Sequence, residues 1–418
     1  MLLVPASAYR GVTKAALPRY GLAMKKHLLI LIALLSVSAC GDATKLYPAK
    51  FNDLSGWNDD SHAEAFGVFV DSCGANMNRG EKAWRSREEG PIGVRAQWEK
   101  VCDEARALGQ PTNDGARQFF ESRFAPYKVT TESKPQGLMT GYYEPLLRGS
   151  LTRKKPYLTP VYGVPSNFFK PYYSRAEIVG GALKGKVPVL LYVDDPVMLS
   201  FLHIQGSGKV KLDNGKTVGL QYAAQNGHEF VPIGRILKER GELENVSMQS
   251  IRDWLRDNPS QMNEVLNQNP SYIFFKLSPG NEAAKGALGI PLTKLRSLAI
   301  DDDRAAYGVP TYVDTTQSEY QTGRQVKLQR LFVSQDTGGA LKGPHRGDIF
   351  YGMGEREEWY AGHQKSQANV FWLLPLAAGS QLAPPPAPPI APNSMPASPF
   401  EVMPAATPKS PFAAAGSK

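Results

Sequence analysis

Residues 141–374 form a succession of short β-prone runs cut by Gly and Pro, a texture that excludes an all-helical fold. Residues 187–193 are continuously apolar, as a buried strand requires. Residues 209–212 and 216–220 flank Asp213-Asn214-Gly215. Asn-Gly between such runs signals a hairpin, because the tight turn needs positive φ. Residues 272–277 read as a further strand, and 291–374 as β-rich, ending in Val370-Phe371-Trp372-Leu373-Leu374. Two helices interrupt this pattern. Ser247 caps the first (247–257), with Ile251, Trp254 and Leu255 on one face; Met262, Val265 and Leu266 mark the second (260–267), stopped by Pro270. Upstream, residues 60–125 have helical spacing at Ala63, Phe66, Val70 and Cys73, and again at Trp98, Val101 and Cys102. The chain therefore reads as mainly β with helices (α+β), and its 418 residues suffice for two packed domains.

The N-terminus carries an address. Met24-Lys25-Lys26-His27 is basic, and the apolar run 28–37 is too short for a permanent span but fits a secretory signal. Val37-Ser38-Ala39-Cys40 looks like a bacterial lipobox, with Cys40 as the lipid attachment point and 1–39 as upstream segment and signal peptide. An ordinary signal peptide with a chance cysteine is the alternative. Met24 is the expected initiator. Gly41, rather than Asp, after the cysteine points to the periplasmic face of the outer membrane. The other two cysteines, Cys73 and Cys102, pair as a disulfide in an oxidising compartment or remain two buried thiols. The six histidines form no zinc-type spacing, so no metal and no cofactor are expected. The net charge of +9 suits an anionic partner or simple solubility. The chain has no RNP, zinc-finger or helix-turn-helix signature, so nucleic acid is not expected as a partner. Residues 377–418 are Ala/Pro/Ser-rich and read as a disordered tail.

The chemistry concentrates in residues 334–354, where Asp336, Lys342, His345, Arg346 and Asp348 sit among glycines. Such loops present side chains from a rigid frame. Asp348 precedes Ile349-Phe350-Tyr351, an apolar run suited to desolvating a carboxyl and favouring its protonated form. Asp336, followed by Thr337-Gly338-Gly339, equally fits a local Asx turn.

Asp314, then Gln335-Asp336-Thr337-Gly338-Gly339-Ala340, then Arg346-Gly347-Asp348-Ile349-Phe350 resembles the three-aspartate domain of the membrane-bound lytic murein transglycosylase A family. Met139-Thr140-Gly141-Tyr142-Tyr143-Glu144-Pro145, Ser174-Arg175-Ala176-Glu177-Ile178, Ile204-Gln205-Gly206-Ser207-Gly208, the segment Tyr222 to His228 and the segment Gln268 to Lys276 are similar to that family in the same order. The resemblance covers roughly residues 50–376. It implies a double-psi β-barrel domain from 40–144 and 281–376, an inserted β domain from 145–280, and a substrate groove between them.

It further implies a lyase that cleaves the MurNAc-β-1,4-GlcNAc bond of peptidoglycan and forms 1,6-anhydromuramic acid. Asp348 is then the general acid and afterwards the base, with Asp336 in support. A hydrolytic muramidase using both aspartates, and a non-catalytic wall-binding lipoprotein, are the competing expectations. Thr140, Tyr142, Tyr143, Gln205, Ser207 and Lys342 are the expected substrate-binding residues, the tyrosines by stacking on sugar faces or, alternatively, as core aromatics. Expected partners are the glycan strands, the outer-membrane inner leaflet through the lipid anchor, and cell-wall synthase complexes.

Overall fold

The computed structural model describes residues 43–376, so the expectations on Cys40, the signal peptide and the 377–418 tail lie outside the described residues. β1 (Lys45–Pro48) leads into three helices, α1 (His62–Met77), α2 (Arg95–Leu108) and α3 (Asn113–Arg123). Of the positions that the spacing marks, Phe66 and Cys73 on α1 and Trp98, Val101 and Cys102 on α2 are buried and Ala63 and Val70 partly so, and α3 adds Phe119 and Phe120. A disulfide joins Cys73 to Cys102 and so ties α1 to α2. β2 (Phe124–Thr130) then pairs antiparallel with β1, and β3 (Gly137–Tyr142) follows.

The chain next builds a separate sheet. Its strands are β4 (Leu146–Ser150), β5 (Thr159–Tyr162), β6 (Val189–Val193), β7 (Gly208–Leu212), β8 (Thr217–Gln225) and β9 (Ile273–Pro279), in the order β5-β6-β4-β7-β8-β9. β7 and β8 form the expected hairpin, with Gly215 at φ +82° in its turn. α4 (Arg175–Val179), α5 (Pro196–Gln205), α6 (Ile233–Glu239), α7 (Met248–Asp257) and α8 (Pro259–Asn267) are interleaved with these strands. Ser247 caps α7 by accepting from Ser250 N at 3.0 Å. Leu199 and Leu202 of α5 pack on Leu147, Leu191, Val210 and Phe275 of the sheet.

The last segment returns to the first sheet with β10 (Ser297–Ile300), β11 (Pro310–Ser318), β12 (Gln325–Thr337), β13 (Arg346–Phe350), α9 (Glu355–His363) and β14 (Lys365–Pro375). The order is β1-β2-β14-β11-β12-β10-β13-β3, and β14 also pairs with β3. That closing pairing makes a ring of six strands, β3, β14, β11, β12, β10 and β13. β10–β12 and β13–β3 are parallel among otherwise antiparallel neighbours. The expected barrel and second β sheet are thus both present. Met139, Leu298, Ile349, Val313 and Val333 fill the main core, which also takes in α1–α3.

A buried ion pair locks the helical segment to the barrel. Arg296, fully buried, donates to both oxygens of Asp60 at 2.8 and 3.0 Å and to Leu331 O at 2.9 Å. Asp60 in turn accepts from Leu331 N at 2.6 Å. Every strong donor and acceptor is matched, as burial of charge demands.

Candidate active site

Sheet register brings the two aspartates together. Ala299 on β10 is opposite Asp336 of β12 on one side and Asp348 of β13 on the other. Asp348 is opposite Thr140 of β3, and Thr140 is opposite Lys365 of β14. Asp336, Ala299, Asp348, Thr140 and Lys365 therefore form one row across five strands. Side chains in register share a face. Here it is the face opposite the core residues Leu298, Ile349 and Met139, which alternate with them. Two strand spacings set the Asp336 and Asp348 Cα atoms about 10 Å apart. A bulge in the β10–β12 register, between Leu298 and Ala299, turns Asp336 into this row and Gln335 into the interior.

Asp348 has a side chain about a quarter exposed (26%). Arg346 Nη1 donates to its Oδ1 at 3.2 Å, while Oδ2 has no partner among the described residues. The same guanidinium donates through Nη2 to Thr140 Oγ1 at 2.6 Å and through Nη1 to the carbonyls of Leu138 and Gly347. Arg346 is thus fixed by three anchors besides the carboxylate. Burial raises the Asp348 pKa above its ordinary value, and the Arg346 charge and hydrogen bond pull the other way without cancelling it.

Asp336 differs. Its Oδ1 accepts from Ala287 N and Thr337 N, both at 2.9 Å, so it does satisfy backbone donors, but one is its immediate neighbour and the other is distant in sequence, and no Asx turn to Gly338 N forms. Burial pushes its pKa up to about 6, against the two backbone donors, with Asp348 adding to the rise. Tyr142 sits beside it with a hydroxyl that is buried and forms no hydrogen bond of good geometry. Burial, then the Asp336 charge, hold that phenol well above its usual pKa.

The remaining expected residues divide. Thr140 joins the site through Arg346. Tyr142 is buried with Phe350, Ala299, Leu292 and Leu341, its ring 5.1 Å from that of Phe350. Tyr143 is buried in the main core. Neither ring offers a face to a sugar, so both expected stacking contacts are withdrawn in favour of the core-aromatic alternative. Gln205, the last residue of α5, accepts from Tyr143 N at 3.0 Å and fastens the crossing between the sheets. Ser207 is partly exposed on the turn after it. Lys342 is exposed and pairs with Asp303 at 3.2 Å, so its nearest carboxylate is the protein's own. Asp314 lies elsewhere in the barrel, accepting from Gln329 at 2.7 Å and Asn369 at 3.2 Å.

Sequence reasoning missed Lys365 and the alignment of Ala299 between the aspartates, because both depend on pairing partners distant in sequence. Arg346 carried a local signal toward Asp348 rather than toward a substrate carboxylate: on a strand, two residues away, it shares its face. Among the described residues, Asp301, Asp302 and Asp303 are the one carboxylate group close enough to hold a metal. Arg87, Lys342 and Gly343 N already meet their charge.

Known proteins resemble this chain in sequence and fold. Residues 138–276 match the MltA specific insert domain, and residues 296–374 match the 3D domain. Membrane-bound lytic murein transglycosylase A of Vibrio cholerae is 35% identical over 252 residues, 59% of this chain and 67% of that protein. The crystal structure of a membrane-bound lytic murein transglycosylase from Agrobacterium tumefaciens superposes with a TM-score of 0.69 at 31% identity, covering 79% of this chain and 98% of that one. Escherichia coli MltA with bound chitohexaose superposes with a TM-score of 0.60 at 26% identity, covering 80% of this chain and 94% of that one. The aspartate-bearing strands fall within the second matched segment and Thr140 within the first, and with these relatives the chain belongs to the membrane-bound lytic murein transglycosylase A family.

Proposed function

We propose that Asp348 is the single acid–base group with which this lytic transglycosylase cleaves the MurNAc-β-1,4-GlcNAc bond of peptidoglycan. One observation carries the assignment. Of the two raised carboxyls in the row, Asp336 is committed through Oδ1 to two backbone donors, whereas Asp348 meets only the Arg346 side chain and keeps Oδ2 free on a partly open side chain. Family membership and the chitohexaose held by the Escherichia coli relative support a glycan as substrate. The strand is placed in the groove between barrel and second sheet, with 40–144 plus 281–376 as one domain and 145–280 as the other.

Protonated Asp348 donates to the bridging oxygen. The bond from C1 of N-acetylmuramic acid breaks, and the sugar gains oxocarbenium character. The resulting carboxylate takes the proton of the same sugar's C6 hydroxyl, whose oxygen bonds to C1. One C–O bond is lost and one formed, and no water is consumed. Ring closure within one sugar has a high effective concentration. Arg346 holds Asp348 in place and stabilises its carboxylate state between the two proton transfers. Asp336 supports the site by its charge, and Thr140 by fixing Arg346. Ser207 and the free half of the Gln205 amide face sugar hydroxyls.

A hydrolytic muramidase is favoured by one fact, the pKa of about 6 at Asp336, which suits a base for water. Muropeptide masses decide, because anhydro products are one water lighter than hydrolysis products. A non-catalytic wall-binding protein predicts no released muropeptides at all.

Cys40 is the proposed lipid anchor on the periplasmic face of the outer membrane, which also leaves cell-wall synthases within reach. Among the described residues no helix is long and apolar enough to cross a membrane. A Cys40→Ser protein is expected in the soluble periplasmic fraction; persistent membrane fractionation refutes the anchor.

A further inference from the structure

Three of the sequence motifs take no part in proton transfer, and they meet in the second sheet around Arg175. This arginine is 5% exposed. Its Nε donates to Asn269 O at 3.2 Å, and its Nη2 to Ser271 O at 2.9 Å and His203 Nδ1 at 3.0 Å. Its guanidinium lies 5.4 Å from the Tyr272 ring centroid. Asn226 braces the same turn, donating to Tyr173 O and Pro270 O at 2.9 Å. Every one of the Arg175 acceptors is neutral, and among the described residues no Asp or Glu pairs with it. Burial brings its pKa down to about 10, with only Tyr272 opposing. A buried charge without a counter-charge is expensive.

Unused donors surround it. The Arg175 hydrogen bonds use Nε and Nη2 and leave Nη1 without one among the described residues, and the Ser200 hydroxyl is buried without a partner. Burial keeps His203 neutral. Because Nη2 donates to its Nδ1, the ring proton resides on Nε2, which is also buried without a partner. Arg175, Ser200 and Asn269 line a cavity of about 10 Å³, enough for a single oxygen-sized group. Its other walls, Ile204, Phe230, Ile233 and Leu266, are apolar. Ile204 is 45% exposed, so the cavity lies just under the surface, one residue from the Gln205 link between the sheets.

We propose that this cavity is a carboxylate site. One carboxylate oxygen enters between Arg175 and Ser200 Oγ, and the rest of the group stays outside the cavity, over the partly exposed Ile204 and Phe230. The peptide stems of murein carry carboxylates, and a free small carboxylate is the other source. Only the first source rests on the reading of the chain as a murein enzyme.

The test uses the full chain with two readouts. In the first, sodium acetate is titrated against sodium chloride at equal ionic strength while thermal unfolding is followed. Acetate is expected to raise the melting temperature by about 2 °C more than chloride. Ser200→Val, which fills the cavity and keeps Arg175, abolishes the difference, and Arg175→Met does so where it folds. Asp348→Asn retains it, so this arm survives even if the catalytic assignment fails. In the second, KM is measured on glycan strands with and without their peptides. A roughly tenfold rise in KM for Ser200→Val on peptide-bearing strands alone, with kcat unchanged, identifies the murein peptide as the ligand. An acetate effect with both KM values unchanged establishes the site for a free carboxylate. No acetate-specific shift and no KM difference overturns the proposal.

Discussion

At the scale of single residues, the environment of two carboxyls decides the chemistry. Arg346 is the group that restrains Asp348 from a still higher pKa. In Arg346→Gln that restraint is gone, and more Asp348 stays protonated as pH rises. The alkaline limb of the pH–rate profile should move to higher pH, with a lower kcat because the carboxylate is no longer stabilised. An unmoved limb removes Arg346 from the mechanism. Asp336 makes a stability prediction. Its folded pKa is about 6 against an ordinary 3.8, so between those values the folded state holds a proton that the unfolded state releases. Stability therefore falls as pH rises through that window, by up to about 3 kcal/mol. Asp336→Asn keeps an oxygen for Ala287 N and Thr337 N and loses the titration. It should be more stable than the parent at pH 7 and equal to it near pH 4, with activity lowered rather than lost. Denaturant melts across pH 4 to 7 check this. Asp336 and Asp348 were legible in sequence as candidate acids, but as loop residues, whereas the structure puts Asp336 at the end of β12 and Asp348 in the middle of β13. Their different surroundings were not legible, because Ala299 and Thr140 reach them through strand pairing and Ala287 from a turn distant in sequence.

At the scale of elements, local signals succeeded where a segment carried its own pattern. The Asn214-Gly215 hairpin, the Ser247 cap and the helical spacing of α1–α3 all formed as the residues require. α5 escaped notice because it is apolar on most sides, Pro196 to Gln205 showing no polar stripe, and such a run reads equally as a buried strand. Asp195 and Pro196 were its usable start signals, since Asp195 accepts from Val197 N at 2.8 Å and Met198 N at 3.1 Å. α9 is short and lies within a β-rich stretch, where Gly354 and three acidic residues of the first turn were its only markers. Between α1 and α2 the Cys73–Cys102 disulfide closes 29 residues of chain. Replacing both cysteines by serine should cost about 3 kcal/mol, read from denaturant unfolding with and without reductant. A variant as stable as the parent under oxidising conditions contradicts that stabilisation.

At the scale of the whole molecule, only three residues, Tyr143, Glu144 and Pro145, carry the chain from β3 to β4. The Gln205–Tyr143 hydrogen bond and the Arg252–Glu358 ion pair join the two sheets across that crossing. The barrel row lies on the face away from the main core, with Asp348 about a quarter exposed, as the proposed binding of a long glycan strand requires. Closure of the ring by the β14–β3 pairing could not be foreseen from periodicity, since those strands are separated by more than half the described chain. The most direct measurement is the mass and yield of muropeptides released from purified sacculi by the parent protein and by Asp348→Asn. The expected result is anhydro products from the parent and a loss of about 10²- to 10⁴-fold in rate for the amide variant, with its melting curve intact. Undiminished release by Asp348→Asn, or products one water heavier from the parent, contradicts a lone carboxyl that closes the anhydro ring.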